Sequence, residues 1–363
     1  MRLFSPDHLT PAPERILLVR LSAIGDVIHG LPALNALRDA FPRAFITWIV
    51  EGRSAELLEG HPALDQVVLL PRGWWRSLTQ VRQLRRKLRE YRFDTTVDLQ
   101  CLTKSALVAW LSGAPRRLGA AGRNGRELSK WFNNVLTPVA ARHVIEHYLG
   151  LLEPLGISSP QVRFDLPERE DEADFAAETL EDMGLALGKF VVLNPGAGWP
   201  SKLWPAERYG ALAQQLARHH GLASLALWGG ADELPLAERI VDSSGGHAVL
   251  APATSLRQLA AVTRRAALFV GSDTGPMHLA VAVGVPTVSL HGVSRAEWCG
   301  AYGTNNVRLQ AYYDDGSSRK RRTADNLAMR AITVDMVSRA CSEALARSAG
   351  IVYSGARYAR AVT

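Results

Sequence analysis

Short apolar stretches rich in Val, Ile and Leu alternate along this chain with segments whose apolar positions recur at helical spacing. The apolar stretches predict strands at residues 16–20, 45–50, 66–70, 95–99, 190–194, 223–228, 248–251, 268–271 and 287–291. Helical spacing lies between them at residues 31–40, 206–219, 255–266 and 276–283. Continuous apolar strands that alternate with helices predict parallel sheets covered by helices on both faces. The sequence therefore indicates an α/β protein.

The alternation stops between residues 157 and 188, where serines, prolines and an acidic run interrupt it, and it resumes at Phe190. The length of 363 residues suits two domains of roughly 150 to 180 residues better than one core. We expect domains at residues 1–175 and 176–363, each with a Rossmann-like parallel sheet. The last periodic segment, residues 334–346, is a candidate to pack back on the first domain.

Charge and cysteine content narrow the possible partners. The net charge is +7, and nearly all basic residues are arginines, which pair with phosphates and carboxylates. Cys101, Cys299 and Cys341 are widely spaced, which favours a reducing compartment over a disulfide framework. The N-terminus lacks the apolar core of a signal peptide, and no stretch approaches the length of an apolar membrane span. We therefore expect a cytoplasmic protein.

The first candidate site, LSAIGDVIHGLP at residues 21–32, follows the first predicted strand directly. Gly25 permits a tight turn, and Pro32 suits the first turn of a helix. Asp26 thus falls at the carboxyl end of a strand, where open α/β sheets bind their ligands. Alternatively, Asp26 only caps the helix, which is the commonest role of such an aspartate.

A second candidate, NPGAGWPSKLWP at residues 194–205, follows the first strand of the second half. Its glycines allow the backbone to approach a ligand, and Lys202 adds a cation before a helix, which suits a phosphate. The segment has neither P-loop nor GxGxxG spacing, which disfavours a dinucleotide dehydrogenase. A Gly/Pro turn with a solvated lysine is an equal interpretation.

A third candidate, GSDTGPMH at residues 271–278, joins a strand end to a helix start. The backbone N–H groups of Thr274 and Gly275 would point at an anion, with His278 one turn further along. A plain capped helix start is the alternative, but it leaves His278 unexplained.

Two further segments carry acidic or metal-type residues. WGGADE, residues 228–233, places Glu233 after a strand and a glycine pair, where acidic residues hold ribose hydroxyls; a solvated helix N-terminus is equally good. The H-x-x-E-H pattern at residues 143–147 is typical of zinc sites, but no third ligand is evident. We expect an exposed helix face there and no metal.

Taken in order, these segments resemble glycosyltransferase family 9, the lipopolysaccharide heptosyltransferases, and within it the heptosyltransferase I group. The resemblance is carried by RLSAIGDVIHGLPAL, WIVEGRSAELLEGHPALDQV, NPGAGWPSKLWP, WGGADE and GSDTGPMHLAVAVGVPTVSLHG, and it extends over residues 15–345. It implies a GT-B fold, with two Rossmann-like domains facing a central cleft. The acceptor would bind the N-terminal domain and the nucleotide sugar the C-terminal domain.

The resemblance also implies residue roles. Asp26 matches the catalytic base of an inverting reaction, Lys202 a contact to donor phosphate or ribose, and Glu233, with Asp232 beside it, the ribose-binding acid. The donor-phosphate loop is matched by Asp273, Thr274, Gly275 and His278. Lys104 and Arg126 match acceptor-side basic residues.

The implied reaction moves a heptose from ADP-heptose to a Kdo-lipid A type acceptor, without a cofactor. No Asp-x-Asp pair, which holds a metal on the diphosphate in many sugar transferases, occurs in the sequence. Ala197 and Gly198 replace hydroxyl residues that the heptosyltransferase I group can carry, so another donor sugar stays an alternative. A nucleotide-sugar epimerase and a non-catalytic nucleotide-sugar-binding protein also stay open, and the latter would not need Asp26. We expect no nucleic-acid partner, because the arginines are not interleaved with a stacking platform.

The segment at residues 72–92 predicts contact with a membrane surface. Its basic residues are Arg72, Arg76, Arg82, Arg85, Arg86, Lys87, Arg89 and Arg92, with Trp74 and Trp75 at its start. Basic residues and interfacial tryptophans both favour an anionic bilayer surface, although a solvated basic helix is the alternative. We expect a peripheral protein on the inner face of the cytoplasmic membrane. SSRKRR, residues 317–322, is expected to form an exposed loop.

Overall fold

The computed structural model describes residues 11–350, except for the side chain of Ser318. Residues 1–10 and 351–363 lie outside this range. They include most of the N-terminal segment that was considered as a signal peptide, and the outer ends of the two expected domains. The chain divides into two compact units after Pro167. Within the described range, no helix is both long enough and apolar enough to cross a membrane.

The first unit is built on a six-stranded parallel sheet. Its strands are β1 (Arg15–Val19), β2 (Phe45–Glu51), β3 (Gln66–Leu70), β4 (Thr95–Asp98), β5 (Arg116–Ala120) and β6 (Val135–Thr137). Its helices are α1 (Ile24–Ala40), α2 (Leu78–Glu90), α3 (Thr103–Ser112), α4 (Ser129–Phe132) and α5 (Val144–Gly150), with 3-10 helices at Gly52–Leu57, Trp74–Arg76 and Glu153–Leu155. The strand order is β3-β2-β1-β4-β5-β6. The loops after β1 and β4 therefore meet at the point where the order reverses, which is where open α/β sheets bind ligands.

The second unit repeats this topology. Its strands are β7 (Phe190–Asn194), β8 (Ala223–Ala226), β9 (Ala248–Leu250), β10 (Leu268–Ser272), β11 (Thr287–His291) and β12 (Val307–Gln310). Its helices are α6 (Glu170–Asp182), α7 (Ala206–His220), α8 (Leu234–Ser243), α9 (Leu256–Arg264), α10 (Gly275–Ala282), α11 (Ala296–Cys299), α12 (Ser318–Thr323), α13 (Leu327–Arg330) and α14 (Val334–Ser348), with a 3-10 helix at Pro200–Lys202. The order β12-β11-β10-β7-β8-β9 puts β7 beside β10, so the loops after these two strands meet.

Central strands are buried on both faces, which explains their unbroken apolar sequences. All five residues of β7 and of β10 are buried, as are four of the five in β1. Close helix packing also needs small residues. Gly30 of α1 is one such position, because a Cβ there would lie 2.7 Å from the ring of Trp48 in β2.

All nine predicted strands are present, but three further strands, at or next to a sheet edge, were missed. β5, β6 and β12 are short or carry polar residues, so they lack a continuous apolar stretch. The expected helix start near Pro32 is wrong, because α1 begins at Ile24 and holds Pro32 in its interior.

The unit boundary falls earlier than residue 175, because α6 packs against α9 and belongs wholly to the second unit. α14 packs against α7, β10, β11 and β12 of that unit. Its expected packing on the first domain stays a prediction.

Candidate functional site

The loops after β7 and β10 are joined through one carboxylate. The ammonium nitrogen of Lys202 lies 2.7 Å from Oδ2 of Asp273 and 3.2 Å from its backbone oxygen. Nε2 of His278, in the first turn of α10, lies 3.1 Å from Oδ1 of the same residue. The structure thus brings together three of the predicted donor residues. Lys202 is not the solvated lysine of the alternative interpretation.

Asp273 is held as a carboxylate by its partners. Burial is the largest influence and would raise the pKa of Asp273, but the hydrogen bond with His278 and the charge of Lys202 outweigh it. The pKa of Asp273 is therefore well below its usual range. A largely buried carboxylate with two cationic or donor partners is therefore a fixed feature of the site at neutral pH.

Thr274 leaves the start of α10 open. Its hydroxyl accepts a hydrogen bond from the side-chain amide of Asn194 at 3.1 Å and donates to the backbone oxygen of Ser272 at 3.2 Å. The hydroxyl therefore makes no capping bond to the helix that begins at Gly275. Helix N-termini carry unpaired N–H groups and a partial positive charge, so this one can receive an anion.

Glu233 lies against the loop after β7. Its carboxylate accepts the backbone N–H of Gly229 at 2.8 Å. A Cβ added at Gly196 would lie 2.3 Å from that carboxylate, so a side chain there would clash. Gly196, in the loop after β7, and Gly229, in the loop after β8, thus leave room for the side chain of Glu233. Asp232, one residue earlier, is exposed.

A cavity of about 440 Å³ adjoins this network and contains residues that the sequence analysis missed. Besides Lys202 and Asp273, its lining includes Trp199, Ser294, Arg295, Trp298, Cys299, Tyr313, Asp315, Gly316 and Arg321. The ammonium of Lys202 lies 4.7 Å from the ring centroid of Trp199. The cavity therefore offers aromatic faces beside cations.

The expected exposed loop at residues 317–322 is exposed at Ser317, Arg319, Lys320 and Arg322, but it is helical rather than a loop, and Arg321 is half-buried. The segment forms α12, and the hydroxyl of Ser201 donates to the backbone oxygen of Arg321 at 2.6 Å. The guanidinium of Arg321 donates to the backbone oxygen of Val293 at 3.2 Å. Only a local run of cations was visible in the sequence, and nothing nearby indicated that it folds against Ser201.

Cys299 and His291 lie near Asp273 and influence its electrostatic environment. The Cys299 thiol lies 3.5 Å from Oδ2 of Asp273, and burial raises the pKa of this thiol. His291 lies between the hydroxyls of Ser289 and Ser294, at 3.0 and 3.2 Å. Burial lowers the pKa of His291 to about 4, so its ring is neutral at physiological pH.

Asp26 occupies the matching place in the first unit. It lies in the first turn of α1, and its carboxylate accepts the backbone N–H of Ala23 at 3.1 Å. The guanidinium of Arg20 lies 2.6 Å away. The side chain of Asp26 remains 41% exposed, so it caps the helix and is also accessible.

Arg20 is the buried support of Asp26. Burial, the largest influence, opposes its charge, but the nearby Tyr148 and Asp26 outweigh it and raise the pKa of Arg20. The Arg20 guanidinium lies 5.7 Å from the ring centroid of Tyr148. The side chain of Gln100, after β4, accepts the backbone N–H of Leu21 at 3.0 Å. The loops after β1 and β4 are thus tied together beside Asp26.

Lys104 and Arg126, the two basic residues expected on the acceptor side, differ in whether their charges are already paired. The Lys104 ammonium lies 2.6 Å from the buried carboxylate of Glu51, which also accepts the indole N–H of Trp74 at 3.1 Å. Arg126 is exposed, and its backbone N–H donates to the oxygen of Cys101 at 3.1 Å. Lys104 is therefore half-buried and already paired, whereas the side chain of Arg126 is exposed.

The H-x-x-E-H segment does not form the expected exposed face. His143 and His147 are both buried. His143 accepts the backbone N–H of Ile145 at 3.1 Å, and Glu146 accepts that of His143 at 3.2 Å, so these side chains cap α5. Burial lowers the pKa of His147 to about 4. Across residues 11–350, no three His, Cys, Asp or Glu side chains converge as a metal site requires.

The basic segment at residues 72–92 contains α2, whose arginines Arg82, Arg85, Arg86 and Arg89 are exposed. Trp74 was expected to face the membrane at the start of this segment, but it is only 1% exposed. Its indole N–H points into the unit and donates to the carboxylate of Glu51. Trp75 is exposed, with the Arg76 guanidinium 5.0 Å from its ring centroid.

Two Rossmann-type sheets with charged loops at their switch points are the architecture of GT-B glycosyltransferases, and similar solved structures are of that class. A glycosyl transferase family 9 protein from Veillonella parvula superimposes with a TM-score of 0.80 at 25% identity, covering 92% of this chain and 98% of that one. The Escherichia coli heptosyltransferase WaaC with ADP superimposes with a TM-score of 0.71 at 26% identity, covering 93% and 100%. The same protein has been solved with ADP-2-deoxy-2-fluoro heptose.

The chain belongs to glycosyltransferase family 9 (heptosyltransferase), whose model matches residues 81–328. It is 34% identical over 304 residues to lipopolysaccharide heptosyltransferase 1 of Pseudomonas aeruginosa, covering 81% of this chain and 83% of that protein. The protein is therefore a glycosyltransferase.

Proposed function

We propose that the protein transfers a heptose from ADP-heptose to a Kdo-lipid A type acceptor of the lipopolysaccharide inner core, with inversion at the anomeric carbon. The network of Lys202, Asp273 and His278 carries this proposal, because it forms a charged, prearranged loop at the ligand-binding end of the second sheet. Relatives named lipopolysaccharide heptosyltransferase 1, and a related structure with an ADP-heptose analogue, support the choice of donor and acceptor.

In the proposed donor complex, Glu233 accepts hydrogen bonds from the ribose hydroxyls. Its carboxylate keeps spare acceptor capacity while it holds the N–H of Gly229. The diphosphate lies over the start of α10, where the N–H groups of Thr274 and Gly275 face it. The cavity beside Lys202 receives the sugar.

Charge compensation for the leaving ADP needs more than Lys202. Its ammonium already pairs with Asp273, so the pair adds little net charge. Arg321 lines the same cavity, where its guanidinium donates to a backbone carbonyl and its charge also acts on the carboxylate of Asp315. Arg321, Lys202, His278 and the helix start together replace the metal that other sugar transferases use, and the reaction proceeds without one.

Asp26 acts as the general base. As the acceptor oxygen bonds to the anomeric carbon, the bond from that carbon to the diphosphate breaks and its electron pair leaves with ADP. The hydroxyl proton passes to the carboxylate of Asp26, which is half exposed and oriented by Arg20. Such general base catalysis is worth roughly 10² to 10⁴-fold in rate.

The acceptor binds the first unit beside Asp26. Arg126 is exposed and free to pair with an acceptor carboxylate or phosphate. Lys104 acts through Glu51, to which it is already bound, and so shapes the site rather than presenting a free charge.

A lipid-linked acceptor requires the protein to work at a membrane surface. We propose a peripheral position on the inner face of the cytoplasmic membrane, with the exposed arginines of α2 facing anionic headgroups. Each basic residue near such a surface contributes about 1 kcal/mol, which salt weakens. Replacing Arg85 and Arg86 with Gln should therefore reduce binding to anionic vesicles.

The transfer itself is tested with the full chain, ADP-heptose and Kdo-lipid A in the presence of EDTA. We expect one ADP released per heptosylated product, and a new linkage whose anomeric configuration is opposite to that of the donor. Activity lost in EDTA and restored by Mg²⁺ would reject the metal-free mechanism, and retention of configuration would reject direct displacement.

The alternatives give different outcomes in the same assay. An epimerase would alter the nucleotide sugar without acceptor, and a binding protein would bind ADP without forming product. Another donor sugar would show itself in thermal shifts against UDP- and GDP-sugars, because a ligand at 100 times its Kd adds about 2.7 kcal/mol of stability.

A further inference from the structure

A second surface of the first unit exposes large apolar side chains. Trp131 of α4 is 85% exposed and Leu128, just before α4, is 55% exposed. The N–H of Trp131 donates to the oxygen of Leu128 at 3.0 Å, so the two residues are one turn apart. Trp110 of α3 is 46% exposed, and its ring centroid lies 6.0 Å from that of Phe132. We call Trp110, Leu128 and Trp131 the aromatic surface.

Folded proteins seldom leave such side chains in water without a partner. An exposed apolar cluster surrounded by polar residues marks a place where another surface binds. Tryptophan in particular is enriched at the boundary between a bilayer and water, where its ring is apolar and its N–H remains hydrated.

The charge around the aromatic surface indicates which partner it fits. From Arg116 to Lys130 the chain carries five basic residues and one acid, Glu127. On the other side, the guanidinium of Arg89 in α2 lies over Gly113, where an added Cβ would be 2.5 Å from it. Because Gly113 ends the helix that carries Trp110, the basic face of α2 adjoins the aromatic surface. Cations on both sides of an apolar cluster complement anionic headgroups above acyl chains.

The aromatic surface also adjoins the proposed acceptor residues. The backbone oxygen of Arg126 accepts the N–H of Ser129 at 3.1 Å, and the N–H of Arg126 donates to the loop after β4. Leu128 and Trp131 therefore follow Arg126 by only two and five residues in a hydrogen-bonded segment. An acceptor whose sugar lies at Arg126 would have its lipid end directed toward an interface at this place.

We propose that Leu128, Trp131 and Trp110 insert into the interfacial region of an anionic bilayer and are the apolar anchor of the protein. This inference rests on the proposed transfer to a lipid-linked acceptor. It replaces Trp74 and Trp75, which the sequence predicted as the membrane-contacting tryptophans, with the aromatic surface. The arginines of α2 supply the electrostatic component alongside it.

The test is co-sedimentation of the full chain with phosphatidylglycerol/phosphatidylcholine vesicles at low and high salt. The double change Leu128→Ser and Trp131→Ser should lower the partition coefficient about tenfold, because apolar area is lost. That loss should persist at high salt, whereas the effect of Arg85→Gln with Arg86→Gln should fade. Leu187→Ser, an exposed apolar residue of the second unit, is the matched control and should bind like wild type. Trp131→Phe should retain most of the binding.

Three results would overturn the inference. Unchanged partitioning of the folded double variant, with loss on changing Arg85 and Arg86, leaves the membrane proposal standing but removes the aromatic surface from it. Failure of the wild type to bind any anionic vesicle rejects membrane contact as a whole. A wild-type dimer that the double variant converts to a monomer, without a change in vesicle binding, identifies the surface as a contact between copies.

Discussion

The two units share one strand order but use their central carboxylates differently. Asp273, at the switch point of the second sheet, is only 11% exposed and bonds both Lys202 and His278. Asp26, at the equivalent point of the first sheet, bonds Arg20 and remains 41% exposed. A carboxylate that positions other groups is stabilised by burial among partners, whereas a base must be reachable by its substrate. The same topology thus holds a largely buried carboxylate in one unit and an accessible carboxylate, the proposed base, in the other.

The largest expected effect follows from removing the base. Asp26→Asn should lower kcat by roughly 10² to 10⁴-fold, because the amide cannot accept the acceptor proton at neutral pH. The variant should fold, since Asn caps helices about as well as Asp. Its Kd for ADP should match that of the wild type. Asp39→Asn, an exposed residue in the same helix paired with Arg163, is the control and should keep full activity. Turnover near the wild-type value in a folded Asp26→Asn protein would remove Asp26 from the mechanism.

Asp273 should matter for stability as well as for donor binding. Asp273→Asn leaves the Lys202 ammonium, which is only 15% exposed, without its counterion, and we expect this to cost about 3 kcal/mol in the free energy of unfolding. Asp26→Asn should cost less, about 1 kcal/mol, because the Asp26 carboxylate is 41% exposed and its contact with Arg20 is already shared with water. The Arg20 guanidinium also keeps its position near the ring of Tyr148. Urea unfolding of the two variants measures the difference. Equal losses in the free energy of unfolding would show that the two carboxylates stabilise their units to the same extent, contrary to this expectation.

Acid should destabilise both units through neutral, buried histidines. The pKa of His147 in the first unit and of His291 in the second is lowered by burial from 6.5 to about 4. Below pH 6.5 the unfolded chain takes up protons that the folded chain does not. Stability is therefore fully present above pH 6.5 and falls as the pH drops toward 4, by at most about 3 kcal/mol for each histidine.

Unfolding free energies measured between pH 7 and 4.5 test this expectation. The slope of the unfolding free energy against pH gives the number of protons taken up on unfolding. His147→Gln and His291→Gln should each lower that number by up to one. A dependence unaltered in both variants would show that these rings are protonated in the folded protein.

A smaller effect is expected at Arg321. Arg321→Gln should raise the Kd for ADP about tenfold, since one charge-assisted contact to phosphate is lost. Adenosine, which lacks phosphate, should bind both proteins alike. Arg319→Gln, an exposed change in the same helix, is the matched control. An unchanged Kd for ADP in Arg321→Gln would remove Arg321 from the proposed charge compensation and leave it to Lys202, His278 and the start of α10.

The sequence was sufficient for the central strands and for the loops that follow them. β1, β7 and β10 are buried on both faces, so their apolar stretches are continuous and easily recognised. Strand ends in parallel sheets are where ligands bind, so Asp26 and Asp273 stood out without a structure.

Long-range partners could not be predicted in the same way. Trp74 and its neighbouring arginines suggest an interfacial anchor, but the indole is buried against Glu51, 23 residues earlier. Arg321 belongs to a local cluster of cations, yet it is held by Ser201, 120 residues away. Such contacts depend on tertiary packing, which no local pattern of charge or hydropathy specifies.

The division of work between the units is tested most directly by hydrogen–deuterium exchange of the full chain with and without saturating ADP. Donor binding to the second unit predicts slower exchange at residues 194–203, 229–233 and 273–279, with the loops after β1 and β4 unchanged. Protection confined to residues 20–29 and 98–104, or no protection at any ADP concentration, would contradict it.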